Sequence, residues 1–333
     1  MSSASRHIAR WDLDKTYLRT EFASMRDLVR TALELPFEKR AHPGAASLIR
    51  ELSKGGSQIH ILSGSPKQMR KGLEAKLRLD GVAWDSLTLK PNLSNALRLR
   101  FRAIKDQLGY KLPALVHARL ALRDEDEAVE TLFGDDAEAD AFVYSLYADI
   151  LAGRVSRELL SAICTRGRMY EDVYERLVAD VVTLGPVGSV VERILIHLEG
   201  QTVPEEFEIY GARVVPFYNY LQAAFVVHDD GRLPALGVLH VAAELLTEHR
   251  FDGEALARSY LDLAKRGCIL GHRLSALTDA LDEVSSAHPA RAGLEYMVSK
   301  LPEFASRIVA RKPPHAMPDY LSIVTSHNKR RHK

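Results

Sequence analysis

The chain has 333 residues, which is enough for a sizeable core and for roughly two domains. Its 45 basic and 44 acidic side chains give a net charge of +1, so charge gives no specific nucleic-acid signal. The two cysteines, Cys164 and Cys268, form neither a disulfide framework nor a metal-ligand pattern. The N-terminal segment lacks a signal-peptide pattern, and no apolar run approaches the ~18 residues of a membrane span. We therefore expect a cytoplasmic protein.

The first part of the chain alternates strand-like and helix-like patterns. Short apolar runs that end in polar residues predict four strands, in HIARWD, SQIHILSGSP, AWDSLTLKPN and EAVETLFGDD. Helical spacing predicts helices in residues 25–35, AHPGAASLIRELSKGG, KQMRKGLEAKLRL, residues 95–108 and EADAFVYSLYADILAGRV. Such alternation predicts an open parallel sheet with helices on both faces, in which ligands bind beyond the carboxyl ends of the strands.

From about Leu151 onward we identify no strand pattern. Segments of ordinary helix length, among them GSVVERILIHLEG and VVPFYNYLQAAFVVH, are separated by glycine and proline and predict helices. The last residues are polar and basic, and we expect them to be disordered. The predicted organisation is an α/β core over residues 1–153, an all-α domain over residues 154–320 and a tail over residues 321–333.

Two acids, Asp12 and Asp14, stand one residue apart at the end of the first predicted strand, shortly before Thr16. One carboxylate can attack a phosphoryl group, and a second can protonate the leaving oxygen and later activate water. Two like charges at close range push their pKa values apart, which would separate those roles. The alternative is that both acids are ordinary turn residues or helix caps.

The second and fourth predicted strands also end in polar residues. Ser63 and Gly64 could cradle a phosphate through a hydroxyl and backbone N–H groups, or could form an ordinary turn. Asp135, Asp136 and Asp140 crowd a helix N-terminus, where the helix dipole favours acids. In the functional interpretation one or two of these acids bind Mg²⁺, because dense carboxylates without a cation would repel one another.

The ordered set of DLDKT, LSGS, a lysine and GDDAEAD resembles the four signatures of the haloacid-dehalogenase-like phosphohydrolases. Over about residues 8–151 the chain is also similar to the catalytic domain of actin-patch-type phosphatidate phosphatases. The opening DLDKTYLRTEFASMRDLVRTALELPFEKRAHPGAASLIREL, then SGSPKQM, SLTLKP, Tyr110-Lys111 and LFGDDAEADAFVY carry this similarity. It implies a Rossmann-like core with a parallel sheet, Mg²⁺ and an aspartyl-phosphate intermediate. No large insertion separates the motifs, so we expect no cap domain within the core.

Carried onto this chain, the resemblance implies that Asp12 is the nucleophile and Asp14 the general acid and base. The residues expected to contact the phosphoryl group are Thr16, Ser63, Gly64 and Lys111, with Lys105 as an alternative lysine. The residues expected at Mg²⁺ are Asp12, Asp14 through its backbone carbonyl, Asp135, Asp136 and Asp140. This chain departs from the family at Lys15, where an acid is usual, and at Asp136, where a small residue is usual.

The sequence therefore predicts a Mg²⁺-dependent phosphomonoester hydrolase. A phospholipid such as phosphatidate is the first expected substrate, and a peripheral membrane contact and oligomerisation stay open. The alternative substrate is a soluble phosphorylated metabolite, protein or nucleic-acid end, because Lys15 and the unmatched second half differ from the lipid phosphatases. A third interpretation is a non-catalytic scaffold built on the same fold, with the predicted helical domain making its contacts.

Overall fold

The computed structural model describes residues 6–19, 37–90, 107–122, 128–137, 139–310 and 317–330. The helix predicted over residues 25–35 lies outside these ranges. So does nearly all of the helix predicted over residues 95–108, including the alternative lysine Lys105.

One sheet of six parallel strands forms the centre of the described structure. The strands are β1 (His7–Asp12), β2 (Gln58–Pro66), β3 (Ser86–Lys90), β4 (Val129–Asp135), β5 (Val191–His197) and β6 (Val214–Phe217). Their order across the sheet is β3-β2-β1-β4-β5-β6. This is the doubly wound order of Rossmann-like sheets. In such sheets the order in which strands are added reverses between β1 and β4, and a crevice lies at that point. The α/β prediction and the first four strands are confirmed.

The prediction of an all-α second half is wrong. The segment GSVVERILIHLEG contains β5, and VVPFYNYLQAAFVVH begins with β6 before it turns into a helix. β5 pairs with β4 and places His197 opposite Asp135, so the sheet crosses the boundary predicted after residue 153. Neighbouring residues of β5 face opposite sides of the sheet and both sides are covered. A short run that is buried on both faces has no two-residue alternation by which a strand is recognised.

Helices cover both faces of the sheet, as predicted. They are α1 (Ala45–Lys54), α2 (Arg70–Leu79), α3 (Lys111–Leu120), α4 (Asp140–Leu151), α5 (Arg157–Arg166), α6 (Glu171–Leu184), α7 (Tyr220–Asp229), α8 (Ala235–Glu248), α9 (Gly253–Lys265), α10 (Leu274–Leu281), α11 (Arg291–Ala305) and α12 (Tyr320–Arg330). One hydrophobic cluster joins Phe133 of β4 to α1, α2 and α7–α11. A second joins the neighbouring Leu132 to α3–α6 and α12. No helix within the described ranges combines the length and the apolarity that crossing a bilayer requires.

The C-terminal tail contains a helix, so the prediction of disorder over residues 321–333 is wrong for the part that the structure describes. Tyr320 and Val324, four residues apart in α12, are both buried. The Tyr320 hydroxyl donates a hydrogen bond to Asp149 Oδ2 of α4 at 2.6 Å. Residues four apart face the same side of a helix, so α12 docks through one face, which composition alone does not reveal.

A buried histidine at the beginning of β1 contacts hydroxyl groups on both of its sides, one just before β2 and one in β4. The His7 Nδ1 atom lies 2.7 Å from the hydroxyl of Ser57, and its Nε2 atom lies 3.0 Å from the hydroxyl of Thr131 in β4. Burial lowers the pKa of His7 to about 4, and the charge of Arg232 lowers it in the same direction. His7 is therefore neutral at pH 7, hydrogen-bonded through both ring nitrogens.

Candidate active site

The crevice between β1 and β4 collects the polar residues with which the predicted strands end. Asp12 is the last residue of β1, Asp135 is the last residue of β4, and Ser63 lies near the end of β2 on the other side of β1. All three are fully buried. Parallel pairing brings these carboxyl ends to one edge of the sheet, which is why residues more than 100 positions apart meet.

Three aspartates form a compact cluster in this crevice. Asp12, Asp135 and Asp140 each offer a carboxylate oxygen, and the three oxygens lie within 4.8 Å of one another. The hydroxyl of Thr16 lies 3.5 Å from Asp12 Oδ2 and 3.5 Å from Asp135 Oδ2, so it spans two of the acids. Buried carboxylates require compensating positive charge or protonation. These three residues could hold a metal ion, and an all-oxygen ligand set suits a hard divalent cation.

Lys111 supplies one positive charge to the cluster. It is the first residue of α3 and is fully buried. Its Nζ atom lies 3.1 Å from Asp12 Oδ1 and 2.5 Å from Asp140 Oδ1. One ammonium cannot neutralise three carboxylates. The ionised cluster therefore carries a formal charge of −2, and a divalent cation would balance it.

The backbone around β4 fixes the positions of the two acids that follow it. Asp140 Oδ2 accepts a hydrogen bond from the Asp135 N–H at 3.2 Å, and Asp135 Oδ1 accepts one from the Ala137 N–H at 2.7 Å. Gly134 leaves room for this arrangement, since a Cβ atom there would lie 2.5 Å from Asp140 Oδ2. The glycine of the GDDAEAD motif is therefore a steric requirement of the cluster.

Asp14 lies beside the cluster in a different environment. Its Oδ2 atom accepts hydrogen bonds from the hydroxyls of Ser63 at 2.8 Å and Ser65 at 3.0 Å. Burial raises the pKa of Asp14 above its usual value, although the two serine hydrogen bonds and the charge of Lys111 oppose the shift. The two acids of DLDKT therefore face different partners: Asp12 faces a lysine and Asp14 faces two hydroxyl groups.

The last residues of β2 carry more of the site than the sequence indicates. The Ser63 hydroxyl donates to Asp14 and accepts a hydrogen bond from the Ser65 N–H at 3.0 Å, with Gly64 between them in the chain. Tyr110, which immediately precedes Lys111 in the chain, donates a hydrogen bond from its hydroxyl to the Ser63 carbonyl at 2.9 Å. A register shift between Ser63 and Pro66 bends the strand here. The contact of Ser65 with Asp14 is not indicated by the sequence, because a second serine in a turn has no distinctive signal.

The turn that follows β1 is held from the second half of the chain. Lys15 has a positive φ of 60°, an uncommon backbone conformation for a residue with a side chain. The Tyr220 hydroxyl of α7 donates a hydrogen bond to the Thr16 carbonyl. The ring of Trp11 stacks on that of Phe133 with 3.8 Å between centroids. Helix α7, which the sequence analysis predicts to belong to a separate domain, is thus in direct contact with the acid-bearing turn.

Asp136 stands apart from the other predicted metal ligands. Its carboxylate accepts hydrogen bonds from the N–H groups of Gly200 at 2.6 Å and Thr202 at 2.9 Å, in the loop after β5. Its oxygens are not part of the three-aspartate cluster. The structure thus gives Asp136 a role in connecting two loops, which follows from the presence of β5 and could not be foreseen without that strand.

Comparison of the chain with protein-family models, with curated proteins and with solved structures gives no match.

Proposed function

We propose that this protein is a Mg²⁺-dependent phosphomonoester hydrolase of the haloacid-dehalogenase type. The observation that carries the proposal is the buried cluster of Asp12, Asp135 and Asp140 around Lys111, with Asp14 held separately beside it. Asp12, Asp135 and Asp140 would hold the metal ion. When bound, Mg²⁺ would supply positive charge that offsets both the carboxylates and a phosphoryl dianion.

Asp12 is the proposed nucleophile. One of its oxygens attacks phosphorus, a carboxylate–phosphate bond forms, and the bond from phosphorus to the leaving oxygen breaks. Lys111, 3.1 Å from Asp12 Oδ1, holds this carboxylate in place and offers positive charge to a phosphoryl oxygen next to it. Its complete burial means that no solvent screens that charge.

Asp14 is the proposed general acid and base. Its raised pKa favours a protonated carboxyl, which can deliver a proton to the departing oxygen. The resulting carboxylate then takes a proton from water as the water attacks phosphorus, and the Asp12–phosphorus bond breaks to release phosphate. The hydroxyls of Ser63 and Ser65 keep the carboxyl oriented through both steps.

The chain between β1 and α1 argues against dinucleotide binding, which is a frequent use of the same strand order. A dinucleotide site needs a glycine-rich turn after the first strand, so that the backbone can approach the pyrophosphate. Here β1 is followed by LDKT, which contains no glycine. The acids at this crevice fit a metal-assisted phosphoryl transfer.

The resemblance makes phosphatidate the first substrate to test, and Lys15 makes soluble phosphomonoesters the second. The experiment measures phosphate release with Mg²⁺ from phosphatidate in mixed micelles, from phosphorylated metabolites and peptides, and from a 5′-phosphorylated oligonucleotide. We expect Asp12→Asn to reduce release by at least ~10³-fold, while Asp172→Asn, an exposed aspartate of α6, leaves the rate unchanged. Release from soluble esters alone would exclude the lipid substrate. No release from any substrate, together with no Mg²⁺ binding, would favour the scaffold interpretation.

A further inference from the structure

A second group of metal-ligating side chains lies at the same edge of the sheet, and the sequence analysis did not identify it. It consists of His42, His197 and Glu199, which we call the His–Glu cluster. One ring nitrogen of each histidine and one carboxylate oxygen lie within 4.8 Å of one another. His197 ends β5, Glu199 follows two residues later, and His42 precedes α1. More than 150 residues separate His42 from the other two, so no spacing in the sequence reveals the group.

The geometry of the His–Glu cluster is close to that of a coordination site. The His42 Nε2 atom lies 2.9 Å from Glu199 Oε2, and the centroids of the two imidazole rings are 4.5 Å apart. Zinc bonds to nitrogen and oxygen of about 2.0–2.2 Å place tetrahedral ligand atoms about 3.4 Å apart. The His42 and Glu199 atoms are closer than this and the His197 nitrogen lies within 4.8 Å of both, so a cation would need the first two to move apart and would replace their direct contact.

The His–Glu cluster has a buried ring nitrogen without a partner among the described residues, and it is open to solvent on one side. His42 and His197 are 6 % and 7 % exposed, and His197 Nδ1 has no hydrogen-bond partner among the described residues. A buried ring nitrogen without a partner loses hydration that a metal bond would replace. The Glu199 side chain is 32 % exposed, so the group opens to solvent on one side.

We propose that His42, His197 and Glu199 form a site for a divalent transition-metal cation such as Zn²⁺, separate from the three-aspartate cluster. Two nitrogens and one oxygen suit Zn²⁺ and similar ions, whereas Mg²⁺ selects all-oxygen ligands. Three protein ligands would leave a fourth position for water or an anion. Because His197 lies opposite Asp135 in the sheet, this cation would lie one strand away from the three-aspartate cluster.

The test uses the full chain, freed of metal with a chelator, dialysed and kept in excess Mg²⁺. Co²⁺ is titrated in, with visible absorption reporting a four-coordinate site, and Zn²⁺ is then added to displace it. We expect one Co²⁺ per chain in the wild type and affinity at least ~10-fold weaker in His197→Gln and in Glu199→Gln. His117→Gln, which changes an exposed histidine of α3, should bind as the wild type does.

Two further measurements keep the outcome clear. Circular dichroism reports whether His197→Gln folds. If His197→Gln does not fold, Glu199→Gln still tests the site, because Glu199 is partly exposed. Asp135→Asn should retain Co²⁺ binding, so this result stands or falls independently of phosphatase activity. Absence of stoichiometric Co²⁺ and Zn²⁺ binding, or equal binding by the wild type and both cluster variants, would overturn the proposal and leave His42 and Glu199 as an ion pair.

Discussion

Replacing Lys111 by methionine removes the ammonium from the three-aspartate cluster while keeping a side chain of similar length. The ammonium contacts Asp12 at 3.1 Å and Asp140 at 2.5 Å, and none of the three side chains is more than 1 % exposed. Removing one partner of a buried ion pair costs about 3 to 5 kcal/mol, because the remaining charge is left uncompensated. We expect Lys111→Met to lower the free energy of unfolding of the metal-free protein by that amount.

Divalent cations should offset part of this loss. Without Lys111 the ionised cluster carries a formal charge of −3, so it attracts Mg²⁺ more strongly than the wild-type charge of −2. Mg²⁺ at 100 times its dissociation constant stabilises a folded protein by about 2.7 kcal/mol. The stability difference between Lys111→Met and the wild type should therefore be smaller in Mg²⁺ than in a chelator.

Urea unfolding followed by tryptophan fluorescence measures both effects, since Trp11 is buried beside the cluster. Lys54→Met is the control. It removes an exposed lysine that pairs with Glu51 at 2.7 Å, and it should change stability by at most about 1 kcal/mol. If Lys111→Met is too unstable to purify, Asp140→Asn breaks the same contact from the other side and should be less destabilising. Wild-type stability of Lys111→Met in chelator, with no response to Mg²⁺, would refute the charge argument.

Three further predictions concern the surrounding structure. The pKa of His7 is about 4 in the folded state against about 6.5 unfolded, so its contribution to stability is complete above pH 6.5 and is lost as the pH falls towards 4. From pH 7.5 to pH 5 the free energy of unfolding, measured in urea, should therefore fall by about 2 kcal/mol more for the wild type than for His7→Asn. Equal decreases would contradict this. Gly134→Ala should displace Asp140, cost about 1–3 kcal/mol and weaken Mg²⁺ binding in calorimetry, whereas Gly72→Ala, with open space at its Cβ, should not reduce stability. Tyr320→Phe removes a hydroxyl that donates to a carboxylate of α4 and should make α12 exchange its amide hydrogens faster; unchanged exchange would show that its apolar contacts suffice.

The first four strands could be predicted because each is an apolar run that ends in polar residues. The same pattern located Asp12, Ser63 and Asp135 at the carboxyl edge of a parallel sheet, and it placed Asp140 at the start of the helix that follows. The placement of Lys111 came from the resemblance, since a single lysine carries no pattern of its own. The residues at strand ends can be predicted because the positions of strand ends follow from local sequence.

What escaped prediction depends on contacts between distant parts of the chain. β5 is buried on both faces and β6 has only four residues, so neither shows alternation. The hydrogen bond from Tyr220 to the Thr16 carbonyl spans about 200 residues, and the His–Glu cluster spans more than 150. Asp136 belongs to the same class, since its partners lie in the loop after the unpredicted β5.

Because β4 lies inside the sheet, the order of synthesis leaves one of its edges unpaired for a time. Translation produces β4 about 60 residues before β5, its neighbour on one side, is complete. At ~5–20 residues per second this interval lasts roughly 3 to 12 s. During it, one backbone edge of β4 has no strand to pair with and can pair with other chains. This edge of the nascent protein is therefore open to aggregation after the acid motifs have been synthesised and before the ribosome reaches His197.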